Sequence, residues 1–217
     1  MIISIIIFIT SCMSETLLYD LNFAGIPAGE SILSMSLNND IILNSKTKTN
    51  KAFSKLLKFQ ENIILTLDST DFSTKKIQKK TRQGKDRKSF QAVINYDAAI
   101  DTSIAVSKNK TMKIKGKVYN PFGVVYFIRN QKIKLNSSYD FKTYDNDKER
   151  NLSVIANRME NIKVSSGEYN CFVIEPKEKL SKGSIRIWFD QITQIPVQIE
   201  MKNKIGTLKM MLKKISP

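Results

Sequence analysis

Along most of the chain, apolar and polar residues alternate with a period of two. Leu33, Met35 and Leu37 are separated by Ser34 and Ser36. Met112, Ile114 and Val118 are separated by Lys113, Lys115 and Lys117, with Gly116 on the apolar side. Ile185, Ile187 and Phe189 alternate with Arg186 and Trp188, and Val197, Ile199 and Met201 with Gln198, Glu200 and Lys202. Leu208, Met210 and Leu212 continue the pattern around Lys209. Successive side chains of a strand point to opposite faces, so this period describes half-buried strands. Turn residues punctuate the runs at Asn38-Asn39-Asp40, Gln83-Gly84-Lys85-Asp86, Asp145-Asn146-Asp147, Ser165-Ser166-Gly167 and Asn203-Lys204. The pattern predicts a mainly β protein of about 11 strands, arranged as a single large curved antiparallel sheet or half-open barrel.

Two segments break the alternation. After Asn50, Phe53, Leu56 and Leu57 have the spacing of one helix face, which predicts a short helix over 51–59. After Asn120, Pro121 suits a first helical position, and Phe122, Val125, Tyr126 and Arg129 fall at i, i+3, i+4 and i+7. Both helices are expected to cover the concave side of the sheet. A groove between them and the sheet gives Phe53, Leu56, Leu57, Phe122, Tyr126, Arg129 and Trp188 as candidate ligand-binding residues. Arg129, one turn after Tyr126, suits either an anionic ligand head or a structural tie from helix to sheet. Gly25-Ile-Pro-Ala-Gly29 reads as a hairpin turn.

The N-terminal run changes the picture. Residues 2–9 are apolar apart from Ser4, far short of the about 20 residues a membrane-spanning helix needs. That length suits the apolar region of a signal peptide. The run ends in Ile9-Thr-Ser-Cys12, which resembles a bacterial lipobox. The resemblance implies a signal peptide over 1–12, lipid on Cys12, and one β-rich domain over 13–217. It implies a lipoprotein anchored in a membrane on the periplasmic side of the cell envelope. Cys171, in an apolar run, reads as a small buried hydrophobe, unpartnered unless the two cysteines join.

Composition narrows the chemistry. The 217 residues include 35 Lys and Arg, 20 Asp and Glu and no His, a formal charge of +15. Without imidazole there is no Ser-His-Asp or Cys-His nucleophile and no common zinc site, and neither cofactor nor metal is expected. Eight basic residues, Lys75, Lys76, Lys79, Lys80, Arg82, Lys85, Arg87 and Lys88, fall within 14 positions beside one acid, Asp86. Two strands joined near Gly84 would gather these charges on one ribbon, as a contact for anionic surfaces. Lipid head groups or an anionic envelope polymer are the partners this favours, against a plain solvated surface. Nucleic acid is not expected, because export removes the protein from it and no RNA-binding or zinc-finger motif is present.

Three stretches together resemble the family known as domain of unknown function 3108. They are Leu18-Tyr-Asp-Leu-Asn-Phe-Ala-Gly-Ile-Pro-Ala-Gly-Glu30, Asn120-Pro-Phe-Gly-Val-Val-Tyr-Phe-Ile-Arg129, and Ile187-Trp-Phe-Asp190 followed by Ile195-Pro-Val197. Asn120 stands where the family has Asp, and Phe127 where it has Tyr. The resemblance implies an exported, β-rich envelope protein and brings no catalytic residues. The leading expectation is therefore a non-enzymatic envelope lipoprotein that binds a lipid or other hydrophobic or anionic ligand in the groove of a curved sheet. The alternatives are a structural or assembly factor of the envelope without a ligand pocket, and a glycan-acting enzyme using acids among Asp140, Asp145, Asp147 and Glu149.

Overall fold

The alternating runs become long strands in a computed structural model that describes residues 14–178, 184–203 and 206–217. A first meander consists of β1 (Ser14–Phe23), β2 (Ile26–Leu37), β3 (Ile41–Thr49), β4 (Phe59–Leu67), β5 (Thr74–Gln83), β6 (Asp86–Asp97), β7 (Thr102–Ser107) and β8 (Thr111–Lys115). Then follow β9 (Val118–Tyr119) and a helix, α1 (Pro121–Arg129). A second meander holds β10 (Ser138–Asp145), β11 (Lys148–Val164), β12 (Gly167–Pro176), β13 (Ser184–Asp190), β14 (Pro196–Asn203) and β15 (Gly206–Ser216). The first and last strands pair, with Thr16 opposite Ser216. That pairing fuses both meanders into one sheet of 15 strands, ordered from β8 back to β1, then from β15 back to β9.

The two edges of this sheet, β8 and β9, are separated in sequence only by Gly116 and Lys117. Three Cα steps span at most about 11 Å. The sheet has therefore curled until its edges nearly meet. Gly116, at φ +85°, makes the corner, and Ser103 Oγ fixes it by donating to Gly116 O at 2.7 Å. The run from Met112 to Val118, which alternates like one strand, is thus two strands on opposite edges. The fold class is as expected, but with 15 strands in place of about 11. Strands such as β11, with only Val154 and Ala156 buried, carry too few apolar positions to stand out.

The helices differ more. α1 forms as the sequence predicts: the Asn120 side chain accepts the Phe122 N–H at 3.1 Å and Pro121 takes the first turn. The 51–59 segment supplies only one 3₁₀ turn, Phe53–Lys55. Asn50 does accept the Phe53 N–H, at 2.7 Å, but the turn does not propagate before β4 begins at Phe59.

Because connections alternate between the two ends of a meander, the barrel has an α1 end and a far end. α1 lies across the first. Its Gly123 is so close to the β4–β5 turn that an added Cβ would sit 3.3 Å from Phe72 O. Phe53 closes the far end, edge-on to Phe23 with ring centres 5.9 Å apart. Between the plugs, the inner face is packed with buried Leu17, Tyr19, Leu33, Leu43, Leu65, Ile77 and Phe189. The helical elements therefore plug the ends of the sheet and do not cover one concave side.

The β1–β2 turn is Ala24-Gly25, both at positive φ, and is tighter than the Gly25–Gly29 motif implies. Pro27 and Gly29 already belong to β2. Gly29 is small for another reason: a Cβ there would lie 2.1 Å from the Lys48 carbonyl oxygen of β3.

Candidate functional site

The inner side of α1 gathers several buried polar side chains. Arg129 donates from both terminal nitrogens to Glu15 on β1, Nη2 to Oε1 at 2.8 Å and Nη1 to Oε2. The guanidinium carbon lies 5.8 Å from the Tyr126 ring centre. Burial works against the Arg129 charge, yet the Glu15 hydrogen bonds outweigh it and raise its pKa. Tyr19 donates to Pro196 O at 2.7 Å, and burial pushes its phenol well above the ordinary value. Tyr126 is 2% exposed, burial raises its phenol as well, and its hydroxyl has no hydrogen-bond partner among the described residues. Of the two roles open to Arg129, the geometry fills the structural one.

The candidate groove residues do not share a groove. Phe122, Tyr126 and Arg129 belong to α1, Phe53 and half-buried Leu57 to the far end, and Leu56 is exposed. Trp188 faces outward, because its strand neighbours Ile187 and Phe189 take the inner face and cross-strand partners share a face. It is nevertheless buried. The β11–β12 hairpin explains this: Ser166 N–H and Oγ donate to Leu212 O on β15 at 3.3 and 3.0 Å, and Ser165 Oγ to Asp20 on β1 at 3.2 Å. Reaching past β13 and β14, the hairpin lies over this part of the outer face. Trp188 donates to Glu160 at 2.7 Å, which holds that carboxyl below its usual range. Cys171, also buried here, has its thiol pushed up to about 12, first by burial and then by Asp190 and Glu160. Cys12 lies outside the described residues.

The acids considered for glycan chemistry are all engaged. Asp140 pairs with Lys177 at 3.6 Å, Asp145 with Lys79 at 3.0 Å, and Glu149 with Lys142 at 3.6 Å. Asp147 accepts from the Tyr144 hydroxyl at 2.9 Å.

The basic ribbon is β5 and β6, joined at Gly84. The period of two divides its charges between the faces. Lys79 points inward, to Asp145 and, at 3.7 Å, Glu61. Lys75 is held by Asp40 at 2.6 Å and Asp68 at 3.0 Å; hydrogen bonds from Thr70 and Lys75 depress the Asp68 carboxyl strongly. Lys76, Lys80, Lys85, Arg87 and Lys88 form no ion pair among the described residues, and Arg82 only reaches Gly84 O at 3.5 Å. Gln60, Arg82 and Arg87 lie in one cross-strand row, and Asn62, Lys80 and Ser89 in the next. These rows line an open trough of about 500 Å³ near the far end, which Lys88 also borders. Gln60 and Asn62 also line a second trough of about 360 Å³ over β2–β4, with Lys46 and Lys48. Glu30 and Lys48 link that to a third of about 640 Å³ over β1–β3. The charge run signalled the cations; the amide row and the trough's continuity left no mark in the sequence.

Among the described residues, no group of three or more His, Cys, Asp or Glu is placed to hold a metal. No described helix is long and apolar enough to cross a membrane.

Comparison with known proteins bears on family and fold. The family described as "Protein of unknown function (DUF3108)" matches residues 18–213. No curated protein matches the sequence. Among solved structures, a β-barrel-like protein of domain of unknown function DUF1849 from Brucella abortus superposes with a TM-score of 0.68 at 11% identity. The match covers 95% of this chain and 98% of that one. A DUF1089 family protein from Pseudomonas aeruginosa gives a TM-score of 0.41 at 10% identity, over 77% of this chain and 87% of that one. At such identity the first likeness concerns the barrel-like fold alone.

Proposed function

We propose that this chain, which belongs to the DUF3108 family, is a non-enzymatic, membrane-anchored envelope protein that holds an anionic polymer in the basic trough at the far end of its barrel. The carrying observation is the set of cations Lys80, Arg82, Arg87 and Lys88, without ion pairs among the described residues, around one trough beside the amides of Gln60 and Asn62. Elsewhere many acids are paired with Lys or Arg, as Glu15 is with Arg129 and Asp145 with Lys79. The trough cations keep their charge for a partner, and an elongated polyanion matches a trough that continues over neighbouring strands. The anchoring half of the proposal rests on the apolar run ending in Cys12.

Binding of dextran sulfate by the full chain tests the trough. K80E/R82E/R87E should weaken binding at least tenfold and flatten its dependence on salt, while a control reversal on β15, K214E, should do neither. Equal binding by wild type and triple variant would refute the reading. Fatty-acid labelling of wild type and Cys12→Ser tests the anchor, with loss of label expected on substitution.

A second reading, an assembly or structural factor, draws support from the packed interior. Both ends are plugged and the large inward side chains are buried, so an apolar ligand inside the barrel has little in its favour.

A further inference from the structure

The α1 end carries an apolar patch that neither the core nor the trough uses. Ile192, in the β13–β14 turn, is 89% exposed; Leu135, in the loop after α1, is 49% exposed; Ile215, near the end of β15, is 41% exposed. The three lie on one side of the rim. The Ile133 N–H donates to Gln194 Oε1 at 3.2 Å, which ties the Leu135 loop to the Ile192 turn. β14 leads from that turn to its neighbour β15, which carries Ile215. Lysines are next to these side chains in sequence: Lys132 and Lys134 near Leu135, and Lys214 before Ile215, where Lys214 shares the face of Leu18 and Ile215 that of Leu17. All three are exposed and without an ion pair among the described residues. Asp190, the acid nearest Ile192 in sequence, is buried and accepts from Thr193.

We propose that this side of the α1 end rests on an anionic lipid bilayer, with Leu135, Ile192 and Ile215 entering the head-group region and Lys132, Lys134 and Lys214 meeting the lipid phosphates. Apolar side chains flanked by lysines suit that boundary, where buried apolar area and attraction to anionic lipid add. The inference rests on the membrane-anchor reading, and one further observation commits it to a bilayer. β1 begins at this end, where Thr16, Leu17 and Leu18 pair with Ser216, Ile215 and Lys214 of β15. The segment that carries the apolar run and Cys12 is therefore joined to the barrel at the rim beside Ile215. An anchor at Cys12 brings this side of the rim to the membrane first. Ile100 lies between Asp97 and Asp101 on the β6–β7 connection and is not part of the patch.

The orientation carries a consequence for the trough. Lys80 stands six residues along β5 from its start at the α1 end, about 15–20 Å even for a tilted strand. Ionic screening at physiological salt acts over about 8 Å. The trough cations thus face away from the anchoring membrane, toward whatever lies beyond it.

Single-cysteine labelling of the full chain in a C12S background tests this, Cys171 being buried. An environment-sensitive fluorophore at L135C, I192C or L56C is mixed with vesicles of phosphatidylcholine containing one-third phosphatidylglycerol and an acyl-chain nitroxide quencher. Probes at 135 and 192 should be quenched at least twofold more than the probe at 56, at the far end. K132E/K134E/K214E should lower that quenching at least threefold. Absence of quenching at 135 and 192, or equal quenching at 56, would overturn the proposal. So would probes already shielded before vesicles are added, since the chain's own first residues or a second copy would then cover the patch. K80E/R82E/R87E should leave the quenching unchanged. A failure of polyanion binding is thereby read separately from a failure of bilayer contact.

Discussion

Removing the Arg129 guanidinium should cost more than a surface ion pair is worth. R129M keeps much of the aliphatic stem and deletes the charge, leaving Glu15 on the inner face without its partner. Exposed pairs contribute about 0–1 kcal/mol, and breaking a buried pair costs about 3–5 kcal/mol. The side chains of Arg129 and Glu15 are 19% and 17% exposed and joined by two hydrogen bonds, which places this pair toward the buried case. The expected loss is about 2–4 kcal/mol for R129M, and slightly less for E15Q, which keeps hydrogen-bonding capacity. The double variant E15Q/R129M should lose less than the sum, because neither charge is then stranded, with a coupling of about 1–3 kcal/mol. Urea unfolding followed by the fluorescence of Trp188, the single tryptophan, measures all four proteins on one scale. Additive losses, or a cost of R129M below about 0.5 kcal/mol, would refute the view that this pair ties α1 to the sheet.

Gly29→Ala should destabilise the protein by about 2 kcal/mol or more, since the methyl would meet the Lys48 carbonyl and the β2–β3 backbones must separate; an unchanged urea midpoint would contradict the close approach. The Cys171 thiol, pushed up to about 12, should resist iodoacetamide at pH 8 in the folded C12S chain and react rapidly once unfolded in urea. The sign for stability follows: a raised folded pKa adds stability that is complete below the unfolded value of about 8.5 and is lost as pH rises toward 12. C171A should therefore reduce the alkaline loss of stability in that window, and an identical alkaline profile would show that Cys171 does not contribute to it.

Periodicity exposed the β class, and the α1 helix was legible because Asn120, Pro121 and the apolar spacing all agree. The 51–59 segment shows the opposite case: three residues at helical spacing were enough to suggest a helix, but only one turn forms before β4 begins. Met112 to Val118 alternates without a break, and only the positive φ of Gly116 separates its two strands. Trp188 could not be placed from its own strand, because the hairpin that buries its outer face lies some 20 residues earlier and folds over through Ser165 and Ser166. The basic run was plain to see, yet which of its lysines stay unpaired depends on Asp145, Asp40 and Asp68, distant in sequence. For Trp188 and the basic run the missing information was a long-range contact; for 51–59 and Gly116 it was the local course of the backbone.

The pairing of β1 with β15 sets when the molecule is able to form. The centre of the sheet joins residues about 200 positions apart, Thr16 with Ser216, so β1 waits on one side for the strand of this sheet that is made after all its others. Such sequence-distant pairing folds slowly, because the loop entropy is lost before the contact is gained. A ribosome-bound or partly exported chain holds two separate meanders with open edges and cannot close. If this chain crosses a membrane in unfolded form, the late strand acts as a timer: the barrel completes only after β15 has arrived on the far side, and removing β15 would leave both halves unjoined.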